Sequence, residues 1–296
     1  MSRKYGKKVE IKINPLAYNI GLIGESGIGK STTIKEFCEK LVGDDGYIML
    51  DIGKEDGHKA INGIVSAEIP DWDTFSDFVD DVIENKATDY KNLKVIGLDT
   101  YDQLVEIAEP EVVRMHNRAN PDKRVDSINA AFGGFGKGMD KVSEIILDKL
   151  WELKKVGVSF IMIGHVKNKE IDDAATGESY SILTTNMSQK YFNAIKTKLD
   201  FLGVAYVDRK IVKEKTGKKN IATKQDIVKS KVAEESRRIS FRDDNYSIDS
   251  KSRFADIVDN IPMDSDALIK AINDAIMAEH SKGEKTVEES KEDEVK

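Results

Sequence analysis

Apolar residues recur along this chain with two different periods, and the switching between them predicts an architecture. Short apolar runs at 18–23, 47–51, 94–99, 158–164 and 201–207 read as strands. They are near-continuous rather than alternating, as strands buried on both faces of a sheet are. Helical spacing occupies 31–41, 72–84, 104–115, 139–155, 188–200 and 266–278. In 72–84, Phe75, Phe78, Val79 and Val82 share one face. In 139–155, Val142, Ile145, Ile146, Trp151 and Leu153 are the expected core contributors. Shorter strands are expected at 210–214 and 237–241, and polar loops at 117–138 and 167–186, the second of them mobile. Residues 1–14 read as an extended basic lead-in in which Val9, Ile11 and Ile13 alternate. Strands alternating with amphipathic helices predict an α/β fold: a mostly parallel sheet covered by helices on both faces, with added C-terminal strands and a helix. One elaborated domain is expected over 15–278, between the lead-in 1–14 and a tail 279–296.

The break between the first strand and the first helix carries chemistry. Gly24-Glu25-Ser26-Gly27-Ile28-Gly29-Lys30-Ser31, followed by Thr32, matches G-x-x-x-x-G-K-[ST] in the strand–loop–helix setting that a phosphate-binding loop requires. Its glycines let backbone N–H groups close around anionic oxygens, and the helix start adds a favourable dipole end. Lys30 is expected to reach the β- and γ-phosphates and Ser31 to place its hydroxyl on Mg²⁺. A glycine-rich turn with a chance lysine is the bland alternative, and the flanking elements weigh against it.

The strand at 94–99 ends in Asp99, the expected second metal-side group beside Ser31, unless it merely caps a helix. Thr100 follows it, where AAA+ type ATPases carry a glutamate that polarises water, so a base must come from elsewhere. Glu55, just beyond the second strand, is the first choice, with Asp51, Asp56 and Asp102 as rivals. His165 ends the fourth strand, where a polar side chain can bond the γ-phosphate and report its loss; capping the strand is the plainer role. Asn168-Lys169-Glu170-Ile171-Asp172 nearly repeats a guanine-reading N-K-x-D, but its Asp comes one residue late. No glycine follows Asp99 at the spacing of a GTPase switch either, so ATP is the expected nucleotide.

Composition narrows the setting. The 296 residues are 40% hydrophobic and 33% charged, an ordinary balance for a soluble chain with a substantial core. A net charge of −7 argues against a surface that coats DNA generally, but the charge is uneven. Seven acidic and no basic residues lie between Glu68 and Glu84, whereas nine basic residues face only Glu214 and Asp226 between Arg209 and Lys231. A solvated hairpin is the bland account of that basic segment. The last eighteen residues hold seven acids and four lysines, and a disordered tail is expected there. No apolar run approaches bilayer-spanning length and no apolar signal segment opens the chain, so a cytoplasmic protein with no membrane partner is expected. Cys38, the single cysteine, excludes a disulfide and reads as a core residue.

Taken together, GESGIGKST, VIGLD, AAFGGFGKGM before a helix and FIMIGHVKNK resemble the RecA-like core. The nearest likeness is to the phage-encoded ATPases of the Sak recombination type, relatives of RecA and RadA, and it runs from about Ile11 to Ile276. The resemblance implies ATP hydrolysis with Glu55 as base and His165 as γ-phosphate sensor. It also implies DNA-facing loops around 132–137 and 167–186, in which Phe132, Phe135, Lys137, Lys167 and Lys169 supply stacking and charge. Lys251-Ser252-Arg253-Phe254 resembles the K-N-R-F element whose basic residues reach a neighbouring subunit's nucleotide, with Ser252 in place of Asn and no Gly after Phe254. The implied protein is a Mg²⁺-dependent ATPase of phage DNA recombination or replication. It would bind single-stranded DNA, form homo-oligomers, couple hydrolysis to assembly or strand annealing, and meet a phage single-strand-binding or annealing protein. The alternatives are a slow ATP switch acting on a protein partner, and a DNA packaging or translocation motor.

Overall fold

A computed structural model describes residues 11–54, 57–172, 177, 179–219, 226–242 and 249–293. The chain runs β1 (Ile20–Gly24), α1 (Lys30–Val42), β2 (Tyr47–Ile52), β3 (Ser66–Ile69), α2 (Trp72–Glu84), β4 (Val95–Asp99), α3 (Tyr101–Ala119) and α4 (Lys137–Lys155). It continues with β5 (Ser159–Asp172), β6 (Ser179–Thr185), α5 (Gln189–Lys196), β7 (Phe201–Lys219), β8 (Asp226–Ser240), β9 (Lys251–Ser252), β10 (Asn260–Pro262) and α6 (Ser265–Asp293). The sheet order is β10-β8-β7-β1-β5-β4-β2-β3. Along this order from β3 to β7 every pairing is parallel; off it β6 pairs antiparallel with β5, and β8, β9 and β10 add antiparallel strands at the other end.

Each central strand splits its side chains between two cores, which is why its sequence reads as one apolar run. Leu50, Ile52, Ile96 and Leu98 pack with Phe75 and Val79 of α2, Leu104 and Val112 of α3, Val142 and Ile146 of α4 and Phe192 of α5. Tyr47, Met49, Val95, Ile20 and Leu22 face the other way, onto Ile34 and Phe37 of α1 and Leu268 and Ile272 of α6. Trp151, expected in the core, is instead 36% exposed. It lies at the rim with its ring 6.0 Å from Phe160 and Lys154 Nζ 5.6 Å above it.

What places the site is the early end of β1. In register, Gly24 faces His165 of β5 on one side and Ala205 of β7 on the other. There β1 stops, while both neighbours run on. The polar stretch expected to be a mobile loop is therefore a hairpin, β5–β6, paired from Val166↔Thr185 to Asp172↔Ser179. It reads as polar because Lys167 to Glu170 are exposed and two of its buried positions, Thr184 and Thr185, are polar, leaving Ile182 as its buried apolar residue. Likewise the short strands expected at 210–214 and 237–241 belong to two long ones, β7 and β8. Edge strand β3, with the sequence SAEI, carries too little apolar pattern to stand out. Helix α3 runs four residues past Met115, to Ala119. Helix α6 continues past Ala278 to Asp293, since a Glu/Lys-rich segment can hold helical backbone without an apolar stripe. Most of the lead-in, 1–10, lies outside the described residues.

Candidate functional site

Glycines shape the phosphate loop. Gly27 and Gly29 sit at φ of 74° and 109°, where a Cβ is strained, and Gly29 is the N-cap of α1. The loop therefore turns directly into the helix, and Lys30 is its first residue. Lys30 is buried, its ammonium donating to the carbonyls of Gly24 (3.0 Å) and Glu25 (2.9 Å). Ser26, Gly27, Gly29, Lys30, Ser31 and Thr32 line a cavity of about 280 Å³, completed by Gly57, His58, Ala60, Ile61, Asp99, Thr100 and His165. Ile28 turns its side chain into the core beneath the loop.

Asp99 is no helix cap; Thr100 takes that position for α3. Its Oδ2 accepts from the Ser31 hydroxyl at 2.5 Å and lies 3.0 Å from His58 Nε2. His58 Nδ1 lies 2.6 Å from Ser66 Oγ, so with Nε2–H directed at Asp99 the other nitrogen accepts from the serine hydroxyl. One carboxylate and one hydroxyl are a sparse donor set, and the described residues hold no cluster of three His, Cys, Asp or Glu. That suits Mg²⁺, which takes one or two carboxylates and completes its shell with phosphate and water. The buried Thr100 Oγ1, without a hydrogen-bond partner among the described residues, adds a polar group at the same wall. Ser31 and Asp99 thus fit the metal of a Mg–nucleotide complex.

His165 reaches the cavity from β5, and its position is braced: its backbone N–H donates to Asp102 Oδ2 at 2.9 Å. The ring Nδ1 lies 3.6 Å from the same oxygen. Asp102 Oδ2 is thereby engaged, while its Oδ1 is buried without a hydrogen-bond partner among the described residues; Asp51 is buried in β2, in register with Asp99. Glu55 and its rival Asp56 lie outside the described residues. The loop carrying them leaves β2 with the Lys54 N–H on Gln103 Oε1 (3.3 Å) and returns through Gly57 and His58 in the cavity wall.

Other expectations are redistributed. Lys251 and Arg253 are not at the cavity: β9 pairs with Phe201 and Leu202, at the end of β7 away from the phosphate loop. There Lys251 Nζ donates to Lys196 O (2.8 Å), and Arg253 to Thr197 O (2.9 Å) and Asp200 (3.2 Å), closing the end of α5. Burial holds the Lys251 ammonium below its usual pKa. Phe132 is partly buried; its ring packs edge-on against His116 at 5.2 Å and its N–H donates to His116 Nδ1 (3.0 Å). Phe135 is fully exposed, and Lys137, Lys167 and Lys169 are exposed as well. The near-guanine motif at 168–172 is spent on the β5–β6 ladder, with Asn168 opposite Leu183.

Two contributors carry no signal in the sequence. His58 is one of four histidines with no motif around it. Arg237, on β8, donates to the Ile28 carbonyl at 2.9 Å and so holds the phosphate loop from a strand two positions along the sheet.

A parallel sheet sheathed on both faces, whose central strand gives way to a phosphate loop facing a strand-end aspartate, defines a P-loop NTPase. The chain belongs to the family described as AAA domain, whose model matches residues 16–254. No curated protein matches it. Among solved structures it is similar to the flagellar accessory protein FlaH from Methanocaldococcus jannaschii, at 11% identity and a TM-score of 0.39, over 84% of this chain and 85% of that one. No helix among the described residues is long and apolar enough to cross a membrane.

Proposed function

We propose that this chain is a Mg²⁺-dependent, RecA-like ATPase that acts on single-stranded DNA in phage recombination or replication and works as an oligomer. The observation that carries the reading is the meeting of Lys30, Ser31, Asp99 and His165 at one cavity whose mouth is the phosphate loop. Lys30, already committed to two loop carbonyls, brings a buried positive charge to the phosphate site. Bound through Ser31 and Asp99, Mg²⁺ would neutralise charge on the phosphates. Glu55 is the residue assigned to take the proton of the attacking water, supported by the return of its loop through Gly57 into the cavity wall. His165 would register the γ-phosphate, and since β5 continues from it into the β5–β6 hairpin, displacement there passes along a paired strand.

For DNA, the supporting features are the bare Phe135 ring beside Lys137, and Lys167 and Lys169 on the hairpin. A phage single-strand-binding or annealing protein is the partner this reading implies, and Lys251 and Arg253 would act on a neighbour's nucleotide. Their bonds within their own chain favour a second reading, a slow ATP switch that answers to a protein partner. Steady-state hydrolysis with Mg²⁺, with and without single-stranded DNA and over a range of protein concentration, separates the two. Stimulation by DNA and a per-subunit rate that rises with concentration are expected. A slow rate indifferent to both would replace the first reading with the second.

A further inference from the structure

β7 parts from β1 after Ala205 and β10 reaches β8 only as far as Arg238; from Val207↔Arg237 onward the described residues of the two strands are in register only with each other, out to Lys219↔Asp226. At about 3.3 Å per residue this arm extends roughly 45 Å. Its root is electrically balanced, with Arg209 on Glu235 (3.1 Å) and Lys210 near Glu234 (3.7 Å). Beyond those pairs the character changes. The described residues 211–219 and 226–233 hold six lysines against Glu214 and Asp226, no arginine and no aromatic residue.

Lysines also serve to keep exposed strands from pairing with other chains, but mixed charge does that equally well. Here nearly all the charge has one sign, in a chain whose net charge is −7. The opposite sign is collected elsewhere. All seven acids between Glu68 and Glu84 are exposed, beside β3, at the far end of the sheet from β8 and β10. A polyanion on the arm is therefore kept away from the field that would repel it.

We propose that the β7–β8 arm is a nucleic-acid-binding element that holds the phosphate backbone without reading sequence. The chemistry of the arm sets the mode. Ammonium groups act as point charges on phosphate, whereas base stacking needs aromatic rings and base-edge forks favour arginine, and the outer arm has neither. Contact with about four phosphates gives a slope of log K against log salt near −3 on a single strand. This rests on the nucleic-acid part of the proposed function and moves its main binding surface from the loops near Phe135 to the arm.

The test is fluorescence anisotropy of labelled oligo(dT), a mixed-sequence single strand and a duplex, titrated with the full chain over a salt series. The wild type is compared with a Lys213→Gln, Lys215→Gln, Lys229→Gln, Lys231→Gln variant and with a Phe135→Ala, Lys137→Gln variant. Binding of a fluorescent ATP analogue reports that each variant is folded. The arm variant should lose at least tenfold in affinity and flatten the slope by about three, alike for all three probes. If it binds as the wild type does while the Phe135/Lys137 variant fails, the arm proposal falls and the proposed function stands. If the wild type binds no probe, both fall. If the arm variant changes only a salt-sensitive self-association, the arm serves the acidic face of a second copy, and the proposal is overturned.

Discussion

Asp99 takes both of its short contacts on one oxygen, Oδ2, from Ser31 and from His58, and Ser31 and Asp99 are the pair proposed to hold Mg²⁺. The spacing of a phosphate loop made Lys30, Ser31 and the strand-end Asp99 legible in the sequence, because all three belong to local strand–turn–helix patterns. His58 was not legible, since only folding brings it between Ser66 and Asp99. His58→Ala takes one of its two partners from the buried Asp99 carboxylate, and should cost about 1–3 kcal/mol of unfolding free energy in a denaturant titration. An unchanged midpoint would show that the two contacts contribute nothing. Cys38 gives a second check. It is fully buried, and burial pushes its thiol well above the usual range, so the thiolate nucleophile is suppressed at neutral pH. The native protein should react with a thiol reagent far more slowly than the denatured chain; equal rates would place Cys38 outside the core.

Between the elements, the decisive feature is that β1 stops at Gly24 while β5 and β7 continue on either side of it. The sheet and its helices could be read from apolar runs because two-sided burial leaves a strong signal. The hairpins could not, because their strands carry mostly polar and charged residues and look like loops. The same topology explains Arg237, whose strand reaches back over the phosphate loop to the Ile28 carbonyl. Removing that donor frees the loop to sample other conformations. Arg237→Ala should therefore weaken ATP binding by roughly tenfold, about 1.4 kcal/mol, measured by equilibrium titration. Nucleotide affinity equal to the wild type would show that the loop holds its shape without β8. Gly29, at a φ of 109°, belongs to the same argument. Gly29→Ala should cost about 1–3 kcal/mol in backbone strain, read as lowered stability or lowered nucleotide affinity.

The whole molecule is a sheet whose two ends differ in charge and whose middle holds the phosphate loop. Fold class and nucleotide site were legible at this scale, because a parallel sheet and a P-loop are both patterns along the chain. The proposed trans role of Lys251 and Arg253 was not, because a trans-acting cation depends on a surface of another copy. Lys251 and Arg253 show why: read as a motif they point outward, yet each donates to a carbonyl of its own chain. The central claim is that Lys30 supplies the phosphate-binding charge. An ammonium about 4 Å from a phosphate gains about 4 kcal/mol at an effective dielectric of 20. The direct measurement is Mg²⁺-dependent ATP hydrolysis by wild type and Lys30→Ala at equal concentration, with ATP-analogue affinity measured on both. A drop of at least a hundredfold in affinity or turnover is expected, with the variant still folded, whereas near-normal binding and turnover would contradict the assignment of the site.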